Sequence, residues 1–318
     1  MKKILILGGS GFVGRQLCEK LIEAQCSVTV VTRRRVNARH LLVLPMVEVV
    51  EVNPHDSAAL APVLAGHDAV VNLVAILHGS EAAFEKAHVQ LPQALLRACE
   101  ASGVRRVVHV SALGASLTSA SKYQRSKAQG EAVLMASELD VTVLRPSVIF
   151  GAQDQFLNTF VRLQQFFPVI PLAGSQARFQ PVWVEDVASA LLRCLQDSST
   201  IGQIFEICGP DVFTLRQLVE LAGRCAGING GQGRPVLALP DALARLQAAL
   251  MELAPGEPLL SRDNLDAMKT DNVATGWLPG LQALGIKPAA LGAIAPSYLG
   301  AQGLRSGLMA KRKTAGRF

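Results

Sequence analysis

KKILILGGSGFVGRQLCEKLIEA, residues 2–24, decides the fold. Lys3–Gly8 is a short apolar run of strand length, and Phe12–Ala24 carries the apolar spacing of a helix. Between them Gly8, Gly11 and Gly14 form Gly-x-x-Gly-x-x-Gly. The first glycine lets the chain turn, and the second lets backbone amides approach a pyrophosphate at the helix N-terminus. The third lets helix and strand pack closely. A strand, this spacing and a helix together read as the opening βαβ unit of a dinucleotide-binding domain. The Lys pair before the apolar run has the look of a signal peptide. The run is too short and leads straight into the glycines, so it reads as a strand.

The alternation continues outward. Ser27–Thr32, Val47–Val52, Asp68–Val74, Arg105–Ala112 and Val141–Pro146 read as strands, with a candidate helix at Glu81–Ser102. Their apolar character on both faces suits a parallel sheet covered by helices on each side. The fold class expected is α/β: a Rossmann-type doubly wound parallel sheet over 1–150, with a smaller C-terminal α+β lobe over 151–300 packed on the sheet's carboxyl edge. In that lobe Asp154–Phe166, Glu185–Leu195 and Thr214–Gly227 read as helices, and Thr214–Gln217 as a capping box. Leu239–Leu253 reads as an amphipathic helix whose Leu243, Leu246, Leu250 and Leu253 share one face. Core packing is the default account of that face, and docking to a partner or membrane the alternative.

Composition narrows the functions. The 318 residues are 50% hydrophobic and 18% charged, which marks a globular chain. Of the net charge of +6, five units come from Arg305, Lys311, Arg312, Lys313 and Arg317 in a tail without acids, set apart here as 301–318. The body is near neutral, so no nucleic-acid partner is expected. Six cysteines without Cys-x-x-Cys pairs read as free thiols of a reducing cytoplasm. Neither a metal-ligand spacing nor a run long enough to span a bilayer stands out.

Two further patterns bear on chemistry. Where NAD-selective sites place an acid after the second strand, this chain has Arg33, Arg34 and Arg35. Arginines there suit a 2′-phosphate, so NADP(H) is the expected cofactor and NAD(H) the alternative. In SKYQRSKAQGEAVL (121–134), Tyr123 and Lys127 lie one helical turn apart. A lysine and an oxidised nicotinamide both favour phenolate, which would make Tyr123 a proton donor or acceptor. His88 reads as a hydrogen-bonded structural histidine and Asp186 as a cap. Asn158 reads equally as a cleft or a loop residue.

The glycine loop, NLVAIL from Asn72, SALGA at Ser111, YQRSK and LRPSVIFG occur in the order of the extended and atypical short-chain dehydrogenase/reductase superfamily, which the chain resembles. RPSVIFGAQDQFLNTF (145–160), FQPVWVEDVASAL (179–191) and FEICGPDVFTLRQLVELA (205–222) resemble one branch. That branch holds the nucleotide-binding alpha subcomplex subunit 9 of respiratory complex I and its bacterial relatives. The resemblance implies that Gly8, Ser10, Gly11, Phe12, Val13 and Gly14 cradle the pyrophosphate. Arg33 or Arg34 would meet the adenosine phosphate, Asn53 would lie near adenine, and Ala75 would border the cofactor crevice. Tyr123 would be the acid–base residue, Lys127 would hold the nicotinamide ribose, Ser111 would orient a substrate oxygen, and Pro146 and Ser147 would flank the nicotinamide. Two functions stay open. One is an oxidoreductase or epimerase/dehydratase acting on an unidentified small molecule. The other is a non-catalytic NADP(H)-binding structural or sensing subunit of a respiratory-type complex. The expected location is cytoplasmic, or peripheral to the inner membrane through the 239–253 helix and the basic tail.

Overall fold

The computed structural model describes residues 2–253 and 258–300. By contact these divide into two interleaved units. Unit 1 takes Met1–Ser147, Val184–Cys208 and Ala274–Lys287; unit 2 takes Val148–Trp183, Gly209–Val273 and the chain from Pro288 onward. The basic tail lies outside the described residues.

Unit 1 is built on seven parallel strands: β1 (Lys3–Leu7), β2 (Ser27–Thr32), β3 (Val47–Glu51), β4 (Ala69–Asn72), β5 (Arg106–Val110), β6 (Asp140–Pro146) and β7 (Ile204–Ile207). Their spatial order is β7-β6-β5-β4-β1-β2-β3. The order reverses between β1 and β4, the switch point where open α/β sheets bind ligands at the strands' carboxyl ends. The helices of this unit are α1 (Phe12–Glu23), α2 (Ser57–Leu64), α3 (Glu81–Glu85), α4 (Leu91–Ser102) and α5 (Lys122–Met135), and the chain returns with Val184–Gln196. Leu5, Leu7, Val70, Val107 and Val143 join Leu60, Leu91 and Leu95 in one buried cluster under the sheet. The single helix expected over 81–102 is broken by a π turn at Lys86–Gln90.

In unit 2 a second cluster gathers Phe150, Leu157, Ile170, Leu172, Leu218 and Leu299. Short strands pair at Ile149–Phe150 with Val182–Trp183, at Arg178–Phe179 with Phe213–Thr214, and at Ile170–Leu172 with Val236–Ala238. The helices include α6 (Leu157–Phe166), α7 (Leu215–Cys225), α8 (Asp241–Glu252), α9 (Arg262–Ala267) and α10 (Leu291–Leu299). Thr214 and Gln217 form the capping box expected at the start of α7. Core packing of the leucine face of α8 is overturned. Its buried residues are Ala244 and Ala248, while Leu243, Leu246, Leu250 and Leu253 are all exposed. All six cysteines are unpaired, five of them buried.

Candidate functional site

The three glycines of the first loop meet different surroundings. Gly8 has φ +78°, and a Cβ there would lie 3.1 Å from the backbone of Leu73 and Val74, just past β4. A Cβ on Gly14 would lie 2.5 Å from the Gly9 backbone. Those two glycines are required by close approach of the protein to itself. Gly11 is exposed, and a Cβ on it would meet only the Gly8 carbonyl oxygen, at 3.3 Å. The space beside Gly11 is thus open to a ligand. α1 begins one residue later with no side-chain cap and no acid in its first turn. Such an N-terminus accepts an anion, and the loop fits the pyrophosphate of a dinucleotide. Ser10, Phe12 and Val13 are half-buried along the same loop.

Arg33 and Arg34 are exposed directly after β2, where Thr32 Oγ donates to the Arg34 carbonyl. The Arg35 N–H is held by Glu51 at the end of β3 (2.7 Å). Among the described residues, no ion pair engages Arg33, Arg34, Arg35 or Arg39. Asn53 follows β3, exposed, its side-chain oxygen accepting the His55 N–H.

The second half of the site is a buried polar cluster between the ends of β4 and β5 and the face of α5. Asn72, 1% exposed, accepts the Val74 N–H and donates to His109 Nδ1 (3.1 Å) on the paired strand. That fixes the His109 proton on Nε2, a buried atom without a hydrogen-bond partner among the described residues. His88 reaches from the π turn to two elements at once. Its Nδ1 donates to Ser126 Oγ (2.8 Å), and its Nε2 accepts the Ile76 N–H (3.1 Å). Ser126 Oγ in turn donates to the Tyr123 carbonyl (2.8 Å). The half-buried Tyr123 ring stands edge-on to His88, centroids 5.4 Å apart, and to Phe84 at 5.9 Å. The approach of the π turn to α5 is so close that a Cβ on Gly130 would fall onto the His88 carbonyl oxygen. π turns of this kind are frequent at functional sites.

Lys127 is 1% exposed, and its ammonium donates to the Val110 carbonyl (2.8 Å), next to Ser111. Ser111 Oγ is buried with no hydrogen-bond partner among the described residues, while its N–H donates to the Leu144 carbonyl. Ala75 is exposed between Val74 and Ile76, the two residues pinned by Asn72 and His88. Pro146 and Ser147 are buried at the end of β6, the Ser147 N–H donating to the Ile207 carbonyl. Behind Lys127, Glu131 receives a bidentate pair from Arg145, with Nε at 3.0 and 3.1 Å.

Burial sets the proton affinities. It pushes Lys127 down to about 8, with Glu131 opposing. Burial and the neighbouring Lys127 charge hold His88 down at about 3, and both push His109 well below its ordinary value. Burial also raises Tyr123 to about 12, the reverse of the lowering expected from Lys127. The ammonium points its bond at a carbonyl, and desolvation of the phenolate dominates. Without a bound cation the tyrosine is therefore protonated, and both histidines are neutral.

His88 is hydrogen-bonded, as its sequence context suggests. Asn158, in the first turn of α6, donates its amide to the Ala152 and Asp154 carbonyls of the loop before the helix. Asp186 is buried in the first turn of its helix. Sequence reading passed over Asn72, His109, Ser126, Glu131 and Arg145. For Asn72 and His109 the one legible signal is a polar residue inside an apolar strand run, as in AVVN and RVVHV. Among the described residues no group of His, Cys, Asp or Glu side chains could hold a metal ion.

Comparison with known proteins agrees with this fold. The family model described as "NAD dependent epimerase/dehydratase family" matches residues 4–208. Subunit 9 of the NADH dehydrogenase [ubiquinone] 1 alpha subcomplex from Mus musculus is 31% identical over 90% of this chain and 76% of its own. The Arabidopsis thaliana counterpart is 30% identical, over 89% and 73%. In fold, the chain is similar to a dTDP-glucose 4,6-dehydratase from Streptomyces venezuelae solved with NAD bound. The TM-score is 0.73 and the identity 22%, covering 97% of this chain and 98% of that one. The chain belongs to the NAD dependent epimerase/dehydratase family, a membership that implies a nicotinamide dinucleotide cofactor.

Proposed function

We propose that this family member binds NADP(H) rather than NAD(H) and acts as an oxidoreductase or epimerase/dehydratase on an unidentified small molecule. The observation that carries the cofactor choice is the pair Arg33 and Arg34, exposed after β2 beside an open glycine loop and in no ion pair among the described residues. A 2′-phosphate would complete them with charge-assisted hydrogen bonds. The cofactor supplies hydride transfer when bound. The protein's part is to hold and move a proton at the Tyr123 hydroxyl, to keep Lys127 charged next to it, and to offer the unpartnered Ser111 Oγ to a substrate oxygen. The Tyr123 hydroxyl would lose its proton more readily beside a bound oxidised nicotinamide, whose positive charge would favour the phenolate.

Calorimetry tests the cofactor choice. NADPH should bind more tightly than NADH, and Arg33→Ala/Arg34→Ala should reduce the preference at least about tenfold, since each charge-assisted bond contributes ~1.5–3 kcal/mol. Equal affinities in the wild type defeat it. One observation favours a second reading, a non-catalytic binding subunit of a larger complex: burial lifts Tyr123 to about 12. Tyr123 and Tyr298 are the chain's two tyrosines, and Tyr298 is shifted further up by burial and Asp154. Phenolate absorbance therefore isolates Tyr123. A fall in its titration point on adding NADP⁺ supports the enzyme; no change supports the structural subunit.

A further inference from the structure

His88 sits in the π turn at Lys86–Gln90 and is buried. A histidine so placed costs free energy unless both ring nitrogens are bonded, whereas a leucine would fill the space without that cost. The bonds of His88 run in one direction. The Ile76 N–H can only donate, so Nε2 accepts and the ring proton lies on Nδ1. Nδ1 then donates to Ser126 Oγ, and the Ser126 hydroxyl donates in turn to the Tyr123 carbonyl. A continuous line thus joins the loop after β4 to the first turn of α5. The ring stacks on Phe84, with centroids 5.6 Å apart, and stands edge-on to the Tyr123 ring. On its backbone side there is no slack, since a Cβ on Gly130 would strike the His88 carbonyl oxygen.

The place of this line in the fold gives it a role. The strand order reverses between β1 and β4. A dinucleotide at that switch point would have the loops after β1, β2 and β3 under one half and those after β4, β5 and β6 under the other. The glycine loop, Arg33, Arg34 and Asn53 lie on the first side, which leaves the second for the nicotinamide half. Ile76 follows β4, while Tyr123 and Lys127 lie on α5, which follows β5. All the bonded partners of His88 are therefore on the second side. The loop at 73–80 has neither strand nor helix, so its backbone depends on side chains for its shape. Asn72 accepts the Val74 N–H and His88 the Ile76 N–H, with the exposed Ala75 between them. A loop held in this way is ordered before a ligand arrives, and binding does not bear that cost.

We propose that His88 is a positioning residue, which holds the loop after β4 and Tyr123 in the arrangement that receives the nicotinamide half of the cofactor. The inference rests on the reading that the chain binds NADP(H) with Tyr123 on the nicotinamide side. Calorimetry on the full chain tests it with two probes, NADPH and 2′,5′-ADP, which is the adenosine half alone. His88→Phe keeps a flat ring and removes both bonds. NADPH affinity should fall about fivefold or more, the equivalent of ~1 kcal/mol, because the freed loop must then be ordered on binding. Affinity for 2′,5′-ADP should stay within about twofold. His88→Leu removes the same bonds with a smaller side chain, should give the same split, and decides alone if the phenylalanine does not fit. A histidine that only braces the fold would lower the thermal midpoint and leave the ratio of the two affinities unchanged. That result in either folded variant overturns the proposal. A wild type that binds neither probe overturns the cofactor reading and this role with it. A wild type that binds NADH as tightly as NADPH defeats only the cofactor choice, and the two probes still decide the part played by His88.

Discussion

Helices α5 and α8 are nearly equal in length and opposite in what they hide. α5 buries Gln124, Ser126, Lys127 and Glu131; α8 buries two alanines and leaves its leucines in water. Each inverts the ordinary rule, and the inversions differ in their physics. A buried lysine or glutamate is costly unless hydrogen-bonded, so every polar group on α5 needs a partner fixed in place: Val110 for Lys127, His88 for Ser126, Arg145 for Glu131. An exposed leucine needs nothing from the fold. α5 is therefore held rigidly by the protein itself, whereas the outer face of α8 has only what the surroundings offer.

The sharpest way to break this contrast is at the glycine loop served by the α5 site. Gly11→Val sets its Cβ 3.3 Å from the Gly8 carbonyl oxygen and clear of the rest of the protein, so the protein should fold after a small local shift while NADPH affinity drops beyond about a hundredfold, the equivalent of ~2.7 kcal/mol. A folded variant with wild-type affinity in calorimetry would remove the assigned cofactor pose. Next in size is stability. Glu131→Ala leaves the partly buried Arg145 uncompensated and should cost about 3 kcal/mol in urea unfolding. A loss near zero would mean that the polar face of α5 is no more constrained than the leucines of α8.

Acid sharpens the comparison further. The folded protein holds His88 at about 3, below the ordinary histidine value, so the unfolded chain binds the extra proton as pH falls. Stability from this residue is full above about pH 6.5 and declines by up to ~1.4 kcal/mol per pH unit down to about 3. His109 acts in the same direction. His88→Gln should flatten its share of the acid limb, measured as the thermal midpoint against pH; an unchanged slope would contradict the neutral, doubly bonded ring. The smallest effect belongs to α8. Leu246→Ser should alter folding stability by less than about 0.5 kcal/mol, since the side chain is already in water. A larger loss would show that the leucine face is covered by the protein after all.

Much of unit 1 is legible along the chain because its signals are local. β1 to β6 fall within a residue or two of the apolar runs that announce them; in unit 2 the capping box at Thr214 is likewise spelled by four consecutive residues. β7 is harder to see. It has four residues, and the buried Glu206 interrupts its apolar run, held by Thr275 from the returning segment 274–287. The π turn escapes sequence reading for a related reason. It depends on His88 meeting Gly130, forty-two positions away, and no local pattern encodes that contact.

By itself the sequence determined the parallel sheet, the glycine loop at its first turn, the arginines after β2 and the Tyr123–Lys127 spacing. All of these follow from strand and helix periods acting over a few residues. Tertiary structure alone decided that Asn72, His88 and His109 join Lys127 in one buried cluster, that Tyr123 is pushed up rather than down, and that the leucines of α8 face outward. A proton affinity depends on how much water the fold removes from a group. The direction an amphipathic helix faces depends on which neighbour claims its other side.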